Sequence, residues 1–144
     1  MDSMDLTGRV AVVTGGSQGI GKAIALALAD AGADIGIVSR LPEAVDIGTQ
    51  RIHLPAEPVV DEIGERGRKA TSILADVRDP EQMRAMVDHV KEEFGRVDIL
   101  FNNAGIGAVK PTHEVPYAEY RKTVNVDLDA VFLFAQHAIK RFLE

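Results

Sequence analysis

The segment Thr14-Gly15-Gly16-Ser17-Gln18-Gly19-Ile20-Gly21 constrains this chain more than any other. It follows Val10-Ala11-Val12-Val13, a continuous apolar run of the kind that makes a strand covered on both faces. It precedes Lys22 to Ala31, where Ile24, Leu26 and Leu28 stand among alanines and read as a helix, with Gly32 as its stop. A glycine-rich turn between a buried strand and a helix has a physical use. Gly15 permits a tight bend, Gly19 lets backbone approach a pyrophosphate, and Gly21 lets helix and strand pack closely. The helix start adds free N–H groups and a partial positive charge for an anion. A tight turn that binds nothing would carry the same glycines, so the rest of the chain has to decide between the two readings.

The strand–helix alternation continues. Ile35 to Val38 reads as a second strand, Thr71 to Ala75 as a third and Val97 to Phe101 as a fourth. Residues 41–58 carry Pro42, Pro55 and Pro58, which predicts an irregular surface excursion there. Residues 59–66 then read as a short helix closing near Gly67. Asp79 before Pro80, with Gln82 three residues on, has the pattern of an N-cap and capping box. Met83, Met86, Val87, Val90 and Phe94 follow at helical spacing, as core packing requires, up to the stop at Gly95. Residues 117–144 read as a last helix, with Leu128, Val131, Phe132, Ala135, Ile139 and Phe142 along its apolar face. Asn125 is out of place in such a helix by propensity, so a partner or a kink is expected there. Strands alternating with helices imply an α/β fold with a parallel sheet. A βαβ unit takes about 30 residues, so 144 residues hold about four strand–helix units in one domain.

Composition excludes several classes. The 22 acidic residues outnumber the 16 basic ones, for a net charge of −6, and no basic footprint for nucleic acid is present. There is no cysteine, hence no disulfide scaffold and no thiolate zinc site. His53, His89, His113 and His137 are scattered without metal-ligand spacing, so no metal site is expected. The acidic start and the glycines that break the first apolar run give neither a secretory signal nor a spanning helix, and the cytoplasm is the expected compartment.

The spacing Thr14-Gly15-xxx-Gly19-x-Gly21 is wider than the ordinary G-x-G-x-x-G fingerprint, and it resembles the cofactor motif of the short-chain dehydrogenase/reductase family. Asp76-Val77 after the third strand, Asn102-Asn103-Ala104-Gly105 after the fourth and Asn125 in the last helix follow in that family's order, over nearly all of the chain. The resemblance implies a Rossmann-like, doubly wound parallel sheet in the order 3-2-1-4. It implies a cofactor pyrophosphate on Gly15, Ser17, Gly19, Ile20 and Gly21, and adenine on Asp76 and the backbone of Val77. The adenosine and ribose side falls to Asn102, Ala104 and Gly105. Asn125 corresponds to the helix asparagine that supports the proton relay, the one catalytic position this chain matches. At the end of the second strand, an acidic residue would accept the ribose hydroxyls of NAD. Ser39-Arg40 stands there instead, and a guanidinium can pair with a 2′-phosphate, so NADP(H) is favoured over NAD(H). Gln18 departs from the basic residue that many NADP(H)-preferring members carry. Arg51 and His53 are candidates to fold back towards the adenosine phosphate.

The family's chemistry is hydride transfer between NAD(P)(H) and a carbonyl or alcohol substrate, through a Tyr-x-x-x-Lys pair and a serine. Tyr117 has Arg121 four residues on and Tyr120 has Val124, and both precede Asn125 whereas the family's pair follows it. Neither tyrosine takes the role, and surface or packing positions are expected for both. Residues 1–144 therefore read as an incomplete NAD(P)-binding domain, ending after the fourth strand and its helix. The expected partner is a small-molecule substrate, with no nucleic acid and no membrane, and full-length relatives are homo-oligomeric. The alternative is a non-catalytic dinucleotide-binding fragment or module. A methyltransferase shares such a sheet, but the glycine spacing and the NNAG segment speak against it.

Overall fold

Side chains alternate across a strand, so a strand with only Val, Ala and Thr can be buried on both faces. That is what β1 (Val10–Thr14) does at every position. The computed structural model describes residues 4–40 and 55–143. In it β2 (Asp34–Ser39), β3 (Ala70–Leu74) and β4 (Ile99–Phe101) join β1 in one parallel sheet, in the order β3-β2-β1-β4. Val12 stands beside Gly36 on one side and Leu100 on the other. The doubly wound order expected from the sequence is the one observed.

Two apolar layers cover the sheet. α1 (Gly19–Asp30) and α2 (Glu57–Glu65) bury Ala25, Ala29, Val59 and Ile63 against Ala11, Val13, Ile35 and Ile37. On the other face α3 (Pro80–Phe94) packs Met83, Met86, Val87 and Val90 against Val10, Val12 and Val38, so the methionine stripe is core. Asp79 caps α3, accepting the N–H of Glu81 at 2.9 Å and of Gln82 at 3.3 Å. The box does not close as expected. Gln82 turns its Oε1 to the amide of Asp76, at 3.0 Å, rather than to that of Asp79.

Two expectations need correction. Most of the 41–58 excursion, with Arg51 and His53, lies outside the described residues, but its last two residues belong to α2. Pro58 sits in the first turn of that helix, where its missing N–H costs no hydrogen bond. The second correction concerns the last helix. It runs as α4 (Tyr117–Val124), a π-type turn over Asn125–Asp129 and α5 (Ala130–Phe142). The buried row is Val126, Ala130, Phe134 and Ala138. Of the face expected to be apolar cover, Leu128, Phe132, Ile139 and Phe142 are exposed, and Val131 and Ala135 are half-buried. The helix is apolar on two sides, and the side with small alanines is the one that can approach the sheet and α3 closely. No helix among the described residues is long and apolar enough to cross a membrane.

Candidate functional site

The chain leaves β1 towards β2 and returns after β3 to add β4 on the other side of β1. In open α/β sheets, the crevice at such a reversal, beyond the carboxyl ends of the strands, is where ligands sit. Here a cleft opens at that place. Gly15, Ser17, Gly19, Ile20 and Gly21 line it from the glycine turn, and Ser39 and Arg40 from the end of β2. Val77 lines it from the segment after β3, and Ala104 and Gly105 from that after β4. Asp76, Asn102 and Asn125 are not among its walls.

Two glycines show what the turn is shaped for. A Cβ on Gly21 would meet the Gly15 carbonyl oxygen at 2.2 Å and Asn103 Nδ2 at 2.5 Å, so only hydrogen fits between turn and helix. Gly19 has φ +54° and nothing within 4 Å of where a Cβ would stand. Its backbone therefore faces open space at the start of α1, where amide groups and the helix dipole favour an anion.

The turn is locked to the segment after β4. Thr14 Oγ1 accepts the amides of Asn103 at 3.0 Å and Ala104 at 2.9 Å, and donates to the Phe101 carbonyl at 3.3 Å. Asn103 Nδ2 donates to the carbonyls of Thr14 at 3.1 Å and Gly15 at 3.2 Å. The first asparagine of the pair, Asn102, lies in a small recess beside Phe134 instead. Sequence reasoning singled out Asn102 and missed Asn103 as a wall of the cleft. The only signal was the threonine before the glycines, and it becomes legible once β1 and β4 are known to be neighbours.

At the far end of the cleft Ser39 is 5% exposed, and its Oγ has no hydrogen-bond partner among the described residues. A buried hydroxyl left so is costly, and its place in the cleft wall suits a polar ligand. No acidic side chain is among the described walls. Asp76 stands near this end, paired with Arg78. The Arg78 hydrogen bonds hold its carboxyl below the ordinary carboxylate value, against the opposing effect of burial, with a smaller contribution from the charge of Arg40.

Asn125 opens the π-type turn. Its carbonyl accepts the N–H of Ala130, five residues on, and its Oδ1 accepts from Arg121 Nη2 at 3.2 Å. The turn carries Asp127 to the segment after β4, where its Oδ1 accepts the Ile106 amide at 3.0 Å. Val126, from the same turn, lines the cleft. Tyr117 and Tyr120 stack on each other on α4 with ring centroids 5.9 Å apart, 74% and 53% exposed. Among the described residues, no cluster of His, Asp and Glu could hold a metal.

Comparison with known proteins gives one consistent result. The profile of the short chain dehydrogenase family matches residues 9–144. A hydroxynaphthalene reductase-like protein of Metarhizium robertsii is 38% identical over 133 residues, which is 92% of this chain and 46% of that protein. The D-threitol dehydrogenase of Mycolicibacterium smegmatis is 37% identical over 139 residues, 96% of this chain and 49% of that one. The crystal structure of a short chain dehydrogenase from Burkholderia cenocepacia in complex with NADP superposes with a TM-score of 0.81 at 40% identity, covering 94% of this chain and 51% of that one. The chain thus spans about half the length of the relatives it matches.

Proposed function

The chain belongs to the short-chain dehydrogenase/reductase family, and from that premise we propose that its cleft binds NADP(H) in preference to NAD(H), as the cofactor-binding part of an oxidoreductase for carbonyl or alcohol substrates. The observation that carries the preference is the end of β2. A buried, unpartnered hydroxyl at Ser39 is followed by the guanidinium of Arg40, and the described walls hold no carboxylate. That arrangement suits a 2′-phosphate and would not repel it. The NADP held by the Burkholderia protein is that protein's ligand, and its 40% identity supports the same choice here.

In this reading Gly15, Ser17, Gly19, Ile20 and Gly21 hold the pyrophosphate, with the free amides at the start of α1 as donors. Asp76 and Val77 take the adenine. Ala104 and Gly105, which line the cleft, take the adenosine and ribose side, and Asn102 belongs to the same segment but lines the small recess beside it. Asn125 supports the site through the π-type turn that brings Val126 and Asp127 to it. The bound cofactor would supply the hydride at its nicotinamide ring, and the protein's part is to fix where that ring lies.

Titration of the chain with NADPH and NADH tests this. Charge-assisted contacts to a 2′-phosphate predict NADPH binding about ten- to a hundredfold tighter, with the preference lost in Arg40→Glu. Equal or tighter binding of NADH would overturn it.

One observation favours a second reading for these 144 residues, that of a dinucleotide-binding unit without turnover. They contain no Tyr-x-x-x-Lys pair, and both tyrosines lie exposed on α4. NADPH binding with no oxidation against a panel of carbonyl compounds is then the expected result, and oxidation above the blank would sink this reading.

A further inference from the structure

Asp76 is fixed at both its backbone and its side chain. Its Oδ1 accepts the Arg78 amide at 2.9 Å and Arg78 Nε at 2.8 Å, and its Oδ2 accepts the Arg78 guanidinium through Nη2 as well as sharing Nε. Beneath this fork the Asp76 amide donates to Gln82 Oε1 at 3.0 Å. Gln82 Nε2 donates to Asp79 Oδ2 at 2.8 Å, and the Asp79 amide returns to the Asp76 carbonyl at 3.0 Å. The cap of α3 and the residue offered to adenine are thus one closed ring of hydrogen bonds.

We propose that Arg78 is a positioning residue for base recognition: its guanidinium fork holds the Asp76 carboxylate in the orientation that accepts an exocyclic amino group, and so selects adenine. This rests on the reading of Asp76 given above. Arg78 is 38% exposed and Asp76 21%, and ion pairs this open contribute little to stability. The geometry does something else. A carboxylate offers about four lone-pair sites. Three Arg78 N–H groups, with Nε shared between the two oxygens, take up most of these, so a single acceptor direction, on Oδ2, is left to a ligand, and the fork fixes it before the cofactor arrives. Pre-ordering a side chain removes its ordering cost from binding. A second guanidinium placed only to attract phosphate would have no need to grip the carboxylate with two nitrogens.

The test uses NADPH and its hypoxanthine analogue, in which the amino donor is replaced by a carbonyl acceptor, on the wild-type chain and on Asp76→Asn, Arg78→Gln and Arg78→Lys, each checked by thermal melting. The wild type prefers adenine, and Asp76→Asn loses or reverses the preference. Arg78→Gln reduces the preference about three- to tenfold, as expected for losing one ordered side chain, and leaves the NADPH-to-NADH ratio unchanged. Arg78→Lys keeps the charge without the fork and does not restore it. If Arg78→Gln retains the adenine preference, or Arg78→Lys restores it fully, or the NADPH-to-NADH ratio falls instead, the positioning role is wrong while the Asp76 reading stands. A wild type indifferent to the base, or an Asp76→Asn variant that discriminates as well as the wild type, overturns the Asp76 reading and the Arg78 proposal with it.

Discussion

The seam between β1 and β4 and the seat of α5 are held by different means. At the carboxyl end of β1, the Thr14 hydroxyl gathers the amides of Asn103 and Ala104. At the start of β1, the Asp98 carboxylate accepts the Val10 amide at 2.9 Å and the guanidinium groups of Arg9 and Arg96. α5 rests instead on Ala130 and Phe134, packed in one cluster with Met83, Met86 and Val87, and buries Ala138 a turn further on. A polar clasp has one geometry and one set of partners, so the seam is closed in a single way and places the cleft walls at fixed positions. Apolar packing tolerates rotation, and α5 had a second apolar face that would have served if bulk alone decided.

The largest expected effect tests that choice of face. Phe134 is fully buried and Phe132 is 65% exposed, two residues apart on one helix. Phe134→Ala should cost about 3–5 kcal/mol through lost transfer energy and a cavity. Phe132→Ala should fall within about 0.5 kcal/mol. Urea denaturation of both variants measures the contrast. Equal losses would break the comparison, because they would mean that both faces of the helix are covered in solution.

The next effect belongs to the seam. Thr14→Val keeps the shape but leaves the amides of Asn103 and Ala104 without their acceptor. Both residues are half-buried, so each N–H left unpaired should cost about 1 kcal/mol, the low end of the range for buried groups. Thr14→Ser, which keeps the hydroxyl and loses a methyl, should cost only about 0.8 kcal/mol. Denaturation midpoints decide it. A serine variant as damaged as the valine variant would show that the methyl, and not the hydroxyl, holds the corner.

The same contrast explains what could be read from the sequence. The strand order and the glycine turn were legible because a buried strand, a turn that needs glycine and a helix start follow one another directly in the chain. The cap at Asp79 was legible for the same reason. The partner of Gln82 was not, because Asp76 lies outside the three-residue window of a capping box, and only the fold of the loop brings it near. Asn103 was passed over because its partners, Thr14 and Gly15, are almost ninety residues away. The face of α5 was misread because helical spacing counts large apolar residues, whereas the buried row includes the small Ala130 and Ala138. The oddity of Asn125 was visible, and both a partner, Arg121, and a change of helix type, the π-type turn, are found there.

The smallest effect is a dependence on acid, and it separates the two regions by kind. Burial works to raise the Asp98 carboxyl, but hydrogen bonds from Arg96, the Val10 amide and Arg9 together outweigh it and hold it below the ordinary 3.8. The unfolded chain therefore takes up the proton first as pH falls. The contribution of Asp98 to stability is complete above that ordinary value and is lost as pH drops towards and through the lower folded value. Asp98→Asn should be less stable than the wild type by about 1 kcal/mol at neutral pH, since the arginines it faces are half exposed and screened. The gap should close as pH falls below 3.8. The loss caused by Phe134→Ala should stay constant over the same range, because no titrating group enters that packing. Denaturation curves of the three proteins between neutral pH and pH 3 measure both trends. A gap for Asp98→Asn that does not narrow in acid would remove the carboxylate from the seam and leave its polar closure to Thr14 and Asn103 at the other end.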